Sequence, residues 1–462
     1  MKRCAACGQD NDDWRPFCTR CGASYAGAAA EPVIVAPPPG APPPPPLPGE
    51  RPPAERFGHR PRRPSSGVIA LAAVLAVAVA VAAVVGLSAV GSKTTKKSAP
   101  TTTFPATWDS RVTDLVHFDE IARKLDYTHP VKVVFLSTAA FKKRVTADDS
   151  KLTAKDRADI QHTLESMRAM GMVQGTVDLF AKQNQLAAAS YLAFYDDTRK
   201  EIVIPGASLD VEERVTLAHE LTHTLDDEHF NLAKVNKVGD QHDTDAVTAL
   251  VEGDAVSVEN QFVAKLSASD RVAYDRSQQT GVSQADLKGV PKILELLQQW
   301  PYDFGPIFVG VLQKLGGQER VNAAFRSPPI DEEQVIDPIA YYNADLPAPI
   351  KAPVLPRGAK KLDSAKEFGA LAWYLVLSER IDAHVALKAA LGWGADTYTV
   401  AREGKQTCME IRYRGETRQD NAEMLDALHR WIAALPRGMA SVKVNTDNTM
   451  TLHSCDPGTA AK

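Results

Sequence analysis

His219-Glu220-Leu221-Thr222-His223 decides how this chain is read. On an α-helix, positions i and i+4 lie one above the other, so both imidazoles can reach one Zn²⁺. Glu220 then stands beside the metal, where it can take a proton from a bound water. That reading requires a helix. Asp210-Val211-Glu212-Glu213 supplies a capping box, with Asp210 as N-cap and Glu213 at N3. Val211, Val215, Ala218 and Leu225 follow at helical spacing and form a core-facing stripe. The five residues are therefore predicted to lie on a capped helix.

Two imidazoles do not complete a catalytic zinc site; a third protein donor is needed. Two side chains compete for that place. His229 lies ten residues after His219, the spacing of metzincins. The glycine that lets the chain turn in that group is Asp226 here, and no methionine between Met172 and Met409 can make a Met-turn. Glu252 lies 29 residues after His223, within Ala249-Leu250-Val251-Glu252-Gly253-Asp254-Ala255. Val247, Val251, Val258, Phe262 and Leu266 mark 245–266 as a helical run. A ligand Glu on a later helix is the gluzincin arrangement, so Glu252 is preferred and His229 is the alternative.

The stretch Ala218 to Phe230, followed by Leu-Val-Glu-Gly-Asp-Ala, resembles bacterial membrane-anchored, gluzincin-like metallopeptidases. The resemblance covers 108–345. It implies His219, His223 and Glu252 as ligands of a catalytic Zn²⁺, with Glu220 as the catalytic base. Asp254 is the candidate to hold a ligand imidazole from behind. It stands two residues after Glu252, whereas thermolysin-like enzymes place such an Asp four after. Asp226, Asp227 and Glu228 crowd the helix end, as orienting groups or as a solvated acidic turn.

The N-terminal part is modular. Cys4, Cys7, Cys18 and Cys21 form two CxxC pairs, each followed by a glycine, which suits one tetrahedral structural Zn²⁺. Residues 1–25 resemble the small zinc ribbons at the N-termini of many bacterial membrane proteins. From Glu31 to Pro64 the chain carries 14 of its 31 prolines, so 26–66 is read as an extended linker without a core. Val68 to Val90 gives 23 uncharged, mostly Ala and Val residues. At about 1.5 Å per residue that suffices to cross a hydrocarbon layer of about 30 Å, which makes 67–91 a transmembrane helix and the lipid bilayer a partner. Five arginines between Arg51 and Arg63 precede it and three lysines follow, which favours a cytoplasmic N-terminus. Residues 92–107 read as a stalk.

The cysteines favour the same orientation. Four metal-binding thiols stay reduced in the cytosol, while Cys408 and Cys455 can pair outside it. Such a disulfide contributes about 2–4 kcal/mol on general grounds. A net charge of −4 gives no reason to expect nucleic acid.

The fold class expected is α+β: a gluzincin-like domain over 108–345 and a C-terminal α+β unit over 360–462. Val131 to Leu136 reads as a strand, and Tyr191 to Tyr195 and Glu201 to Ile204 read as a hairpin just before the zinc helix. An edge strand there could pair with an extended substrate, or be an ordinary hairpin. Tyr302, Tyr341 and Tyr342 are candidate donors to a tetrahedral oxyanion. Gly392-Trp393-Gly394-Ala395-Asp396 reads first as a tight turn with a packed Trp.

The expectation is a single-pass membrane zinc metallopeptidase acting on peptides or proteins, with its catalytic domain outside the cell membrane. Its rival is an extracytoplasmic binding or sensor protein that keeps the fold and signals through a cytoplasmic partner of the ribbon. Geometry separates the two ligand assignments: the side chain converging on both imidazoles is expected to be Glu252, and convergence of His229 would overturn that choice.

Overall fold

In a computed structural model, the protein is described at residues 2–3, 10–11, 104–207, 209–239, 244–280, 286–363 and 367–459. Lys2–Arg3 (β1) and Asp10–Asn11 (β2) pair antiparallel around the first CxxC. The four ribbon cysteines, the linker and the segment 68–90 lie outside the described residues. Among the described residues, no helix is long and apolar enough to cross a membrane.

The described chain is α+β. Its first half runs α1 (Thr113–Arg123), β3 (Lys132–Leu136), α2 (Thr138–Val145), α3 (Ala154–Ala169), α4 (Leu179–Ser190), β4 (Phe194–Asp196) and β5 (Glu201–Pro205). Then come α5 (Val211–Phe230), α6 (Leu232–Gly239), α7 (Thr244–Ala264), α8 (Ala268–Thr280) and α9 (Lys292–Arg326). After two short helices, α10 (Glu333–Ile336) and α11 (Pro338–Asn343), the chain forms β6 (Lys360–Asp363), α12 (Ala370–Ser378) and α13 (Ala383–Leu391). It closes with β7 (Trp393–Glu403), β8 (Gln406–Gly415), α14 (Arg418–Ala433), β9 (Ala440–Val444) and β10 (Met450–Cys455).

The three-stranded sheet has the order β3-β5-β4, with β3 parallel and β4 antiparallel to β5. Alternation along β5 decides what it touches. Ile202 and Ile204 pack with Leu217 and Leu221 of α5 and with Leu115 of α1, while Val203 meets Phe141 and Val145 of α2. The expected hairpin is present, and β4 is left as the outer strand beside the motif helix.

Helix α5 begins as its sequence requires. Asp210 accepts hydrogen bonds from the N–H groups of Glu212 and Glu213, and the Glu213 carboxylate accepts one from the Asp210 N–H. Helix α7 packs beside α5, and α9 crosses α7 at two glycines. A Cβ on Gly253 would overlap the Gly305 carbonyl group, and one on Gly305 would overlap the Ala249 carbonyl oxygen. Glycine at both places lets the backbones touch. Tyr302 lies within helix α9, which starts at Lys292 and contains Pro301 and Pro306. The buried side chains of Ile293, Leu294, Leu297 and Trp300 hold the first turns in place despite the missing proline N–H groups. Gly316 and Gly317 break the helix, as the sequence suggests, but it resumes and runs to Arg326.

The second sheet is antiparallel, in the order β6-β7-β8-β10-β9. One apolar core runs from Met167 of α3 through Leu297 and Phe308 of α9 to Trp373, Met409 and Trp431. The Gly-Trp-Gly-Ala-Asp stretch does more than turn. Buried Asp396 accepts from the indole N–H groups of Trp373 (2.7 Å) and Trp393 (2.8 Å) and from the backbone N–H groups of Phe368 (2.5 Å) and Gly369 (3.2 Å). One carboxylate therefore joins the start of α12 to β7.

Behind the motif helix lies a buried polar cluster. Arg123 of α1 pairs with Asp226 of α5 and Asp254 of α7, each at 2.7 Å, with all three side chains fully buried. Asp119 sits beside them, with the Tyr127 hydroxyl at 2.9 Å; that hydroxyl is also 2.8 Å from the Leu221 carbonyl oxygen. One hydroxyl hydrogen cannot serve both acceptors, so a protonated Asp119 completes the pattern. Burial pushes the Asp119 carboxyl up to about 8, against the Tyr127 and Thr222 hydrogen bonds that lower it. Because the folded value exceeds the unfolded one, this group favours folding below about pH 4, and that contribution is lost as pH rises toward about 8.

Two predictions follow from these contacts. Asp119→Asn, which mimics the protonated acid, is expected to flatten the fall in melting temperature between pH 5 and pH 8 (about the window given by the two pKa values); an unchanged slope rejects the assignment. Gly253→Ala is expected to destabilise the chain by about 1–3 kcal/mol through overpacking against Gly305. Calorimetry reads this as a lower melting temperature, and an unaltered one contradicts the close crossing.

Candidate metal centre

The helices bring together the side chains that the motif required. His219 Nε2 is 3.1 Å from His223 Nε2 and 3.1 Å from Glu252 Oε2, and His223 Nε2 is 3.5 Å from the same oxygen. Three donors of a tetrahedral zinc, each about 2.0–2.1 Å from the ion, stand about 3.3 Å apart. The observed triangle matches that spacing. These donors are nitrogen, nitrogen and carboxylate oxygen, the His₂Glu set of catalytic zinc sites, which leaves a fourth position for water.

His229 does not converge. Its Nε2 lies 2.9 Å from the Asp126 carbonyl oxygen, away from the two imidazoles. The rest of the acidic helix end is also accounted for. Asp226 holds Arg123, Glu228 accepts from the backbone and hydroxyl of Thr128, and Asp227 accepts from the Tyr195 hydroxyl at 2.7 Å and pairs with Lys200.

Asp254 does not hold a ligand imidazole; it is the partner of Arg123. Two residues along a helix turn the side chain by about 200°, so Asp254 faces away from Glu252. The residue that holds His219 is Glu259, whose Oε2 lies 3.1 Å from His219 Nδ1. Seven residues return to within about 20° of the same face, which places Glu259 in line with Glu252. That spacing is visible in the sequence, but an acidic side chain two turns on carries no mark of its partner. The contact puts the Nδ1 proton toward the carboxylate and the Nε2 lone pair toward the triangle. Tyr274 of α8 supports Glu259 from behind, with its hydroxyl 3.4 Å from Oε1. His223 Nδ1 has no hydrogen-bond partner among the described residues.

Glu220 occupies the position beside the triangle. Its Oε2 accepts the backbone N–H of Tyr195 on β4 at 2.7 Å. Burial raises its pKa, against the lowering effect of the two imidazoles. Burial also works to raise Glu252, but the imidazoles outweigh it and hold that carboxylate low. For His219 the order is reversed: burial disfavours the charged ring, and Glu252 and Glu259 more than offset that.

Of the three tyrosines considered from sequence, one is at the site. The Tyr302 ring stacks against His219 with centroids 6.1 Å apart and remains 39% exposed. Tyr341 donates to the Ser327 carbonyl oxygen and packs on Phe308, while Tyr342 stacks with Arg320. Tyr191, at the end of α4, is a further phenol near Glu252 and Glu220.

Comparison of the chain with protein-family models, curated proteins and solved structures gave no match, so the functional reading rests on the site itself.

Glu259→Gln removes the charge behind His219 without emptying the space. It is expected to weaken Zn²⁺ binding by about 10–100-fold. Competition with a chelator of known affinity measures this, and an unchanged affinity rules out the supporting role.

Proposed function

We propose that this chain is a membrane-anchored zinc metallopeptidase of gluzincin-like architecture, hydrolysing peptide bonds outside the cytoplasmic membrane. The observation that carries the reading is the triangle of His219, His223 and Glu252 donors with the Glu220 carboxylate at its side. His219, His223 and Glu252 would hold a zinc ion, which would supply Lewis acidity toward the scissile carbonyl and acidify the attacking water.

The remaining chemistry belongs to the chain. Glu220, buried beside the triangle and held by the Tyr195 N–H, takes the proton from the attacking water and delivers it to the leaving amine nitrogen. Tyr302, half-exposed beside His219, donates its phenolic hydrogen to the developing oxyanion. Strand β4 is the outer strand of its sheet and is tied to Glu220 through Tyr195. A substrate added along that edge as an extended strand comes to the metal centre with its backbone in register. The segment 68–90 supplies the anchor in this reading, and the cysteine distribution supports a catalytic part outside.

Glu220→Gln tests the mechanism in the full chain. Zinc content is expected to stay at the wild-type level, while hydrolysis of a peptide library falls by about 10²–10⁴-fold. Undiminished hydrolysis rejects Glu220 as the base. Bound zinc with no cleavage by the wild-type chain favours the binding-protein alternative.

A further inference from the structure

Far along the chain from the metal centre, four side chains meet on one face of the five-stranded sheet. In the register of β8 and β10, Cys408 stands opposite Cys455 and Glu410 stands opposite His453. Residues two apart share a face, so both pairs point the same way. Ala401 of β7 is the neighbour of Cys408, which puts Glu403, two residues on, at the same face. The two cysteines are joined as a disulfide, as their separation from the ribbon cysteines suggested.

The surroundings of this disulfide exceed what a cross-link needs. His453 Nδ1 is bound to Glu410 Oε1 at 2.6 Å, which directs the other ring nitrogen, Nε2, to within 3.3 Å of Cys455 Sγ. A carboxylate on one nitrogen that turns the other toward the donor cluster is how metal-ligating imidazoles are oriented. Glu403 Oε1 is buried 3.9 Å from the same ring and has no hydrogen-bond partner among the described residues. The ion pair with that ring is long and leaves the buried oxygen without a hydrogen bond, a gap that a bound cation would fill. One donor atom from each of Glu403, Cys408, His453 and Cys455 lies within 4.8 Å of the other three.

We infer that Glu403, Cys408, His453 and Cys455 form a second, redox-gated site for a thiophilic divalent ion of the zinc type, opened by reduction of the disulfide. An external dithiol supplies two electrons: its sulfurs become a disulfide, and Cys408 and Cys455 become thiols. Binding of the ion releases the two thiol protons and gives a tetrahedral set of two thiolates, one imidazole and one carboxylate. Oxidation by a disulfide-forming oxidant expels the ion and restores the cross-link. The two states exclude each other because the same sulfur electrons make either bond. None of His219, His223 and Glu252 takes part, so this site stands or falls separately from the peptidase reading.

The test uses the full chain in detergent, reduced with a phosphine, with Zn²⁺ added or withheld. Alkylation by iodoacetamide is then followed peptide by peptide in the mass spectrometer, which separates Cys408 and Cys455 from the four N-terminal cysteines. Zinc is expected to slow alkylation at both positions by at least about tenfold, and His453→Ala and Glu403→Gln to restore the fast rate. In Glu410→Gln the zinc concentration that protects half the thiols is expected to rise about 10–100-fold. Equal alkylation rates with and without zinc in the reduced wild-type chain overturn the proposal, as does full protection in His453→Ala.

Discussion

The buried pairing of Arg123 with Asp226 and Asp254 is the constraint on which the triangle of His219, His223 and Glu252 depends. A guanidinium taken out of water must meet carboxylates at close range, or the charge is left uncompensated at a cost of several kcal/mol. Here the two carboxylates come from different helices: Asp226 stands three residues after His223 on α5, and Asp254 stands two after Glu252 on α7. One side chain from α1 therefore sets the spacing of the two helices that carry the three donors. The fork shape of the guanidinium matters, because a point charge such as lysine could not face both partners in fixed directions.

The opposite side of α7 is fixed by contact rather than by charge. Gly253 and Gly305 bring α7 and α9 to backbone distance, and Gly305 is three residues from Tyr302. Glu252 thus has one helix locked to it by a buried cation and another by the absence of side chains. Both devices restrict translation along the helix axis, which is the motion that would open the donor triangle. A site needing placement within about 0.5 Å is better built on such helices than on loops.

How much of this was legible in the sequence follows from the range of each interaction. The capping box of Asp210 and Glu213, the strand at Lys132–Leu136 and the helix around Glu252 are local patterns, and they stand where periodicity put them. Glu252 was legible as the side chain that converges on both imidazoles because it shares a helix with its apolar markers, whereas His229 lacked the turn that would bring it back. The role of Asp254 was misread because proximity in sequence was taken for proximity to the ligand; two residues on a helix point nearly opposite ways. Arg123 could not be read at all, since its partners lie 103 and 131 residues away and nothing local distinguishes it from a surface arginine. Pro301 stands inside a helix against its preference for the first turn, because burial of the preceding apolar turn outweighs that preference.

The C-terminal α+β unit, read in sequence as a unit of its own over 360–462, bears on the site through α9. The first turns of α9 present Ile293 and Leu297 to a small apolar cavity shared with Met167 of α3, Phe368 and Leu375 near and within α12, and Tyr398 and Met409 of the sheet. Further along, Phe304 packs edge-on against Tyr374, with centroids 6.2 Å apart. Tyr302 and Gly305 thus sit on a helix whose outer face is gripped by the C-terminal sheet layer, and whose inner face touches the ligand helix. Asp396 ties that layer to itself, because its four donors come from the start of α12 and from β7. A disturbance at Asp396 would loosen α12, then the packing against Phe304, and only then the phenol beside His219. The C-terminal unit therefore belongs to the scaffold of the centre, and removing it would expose the apolar face of the helix that carries Tyr302.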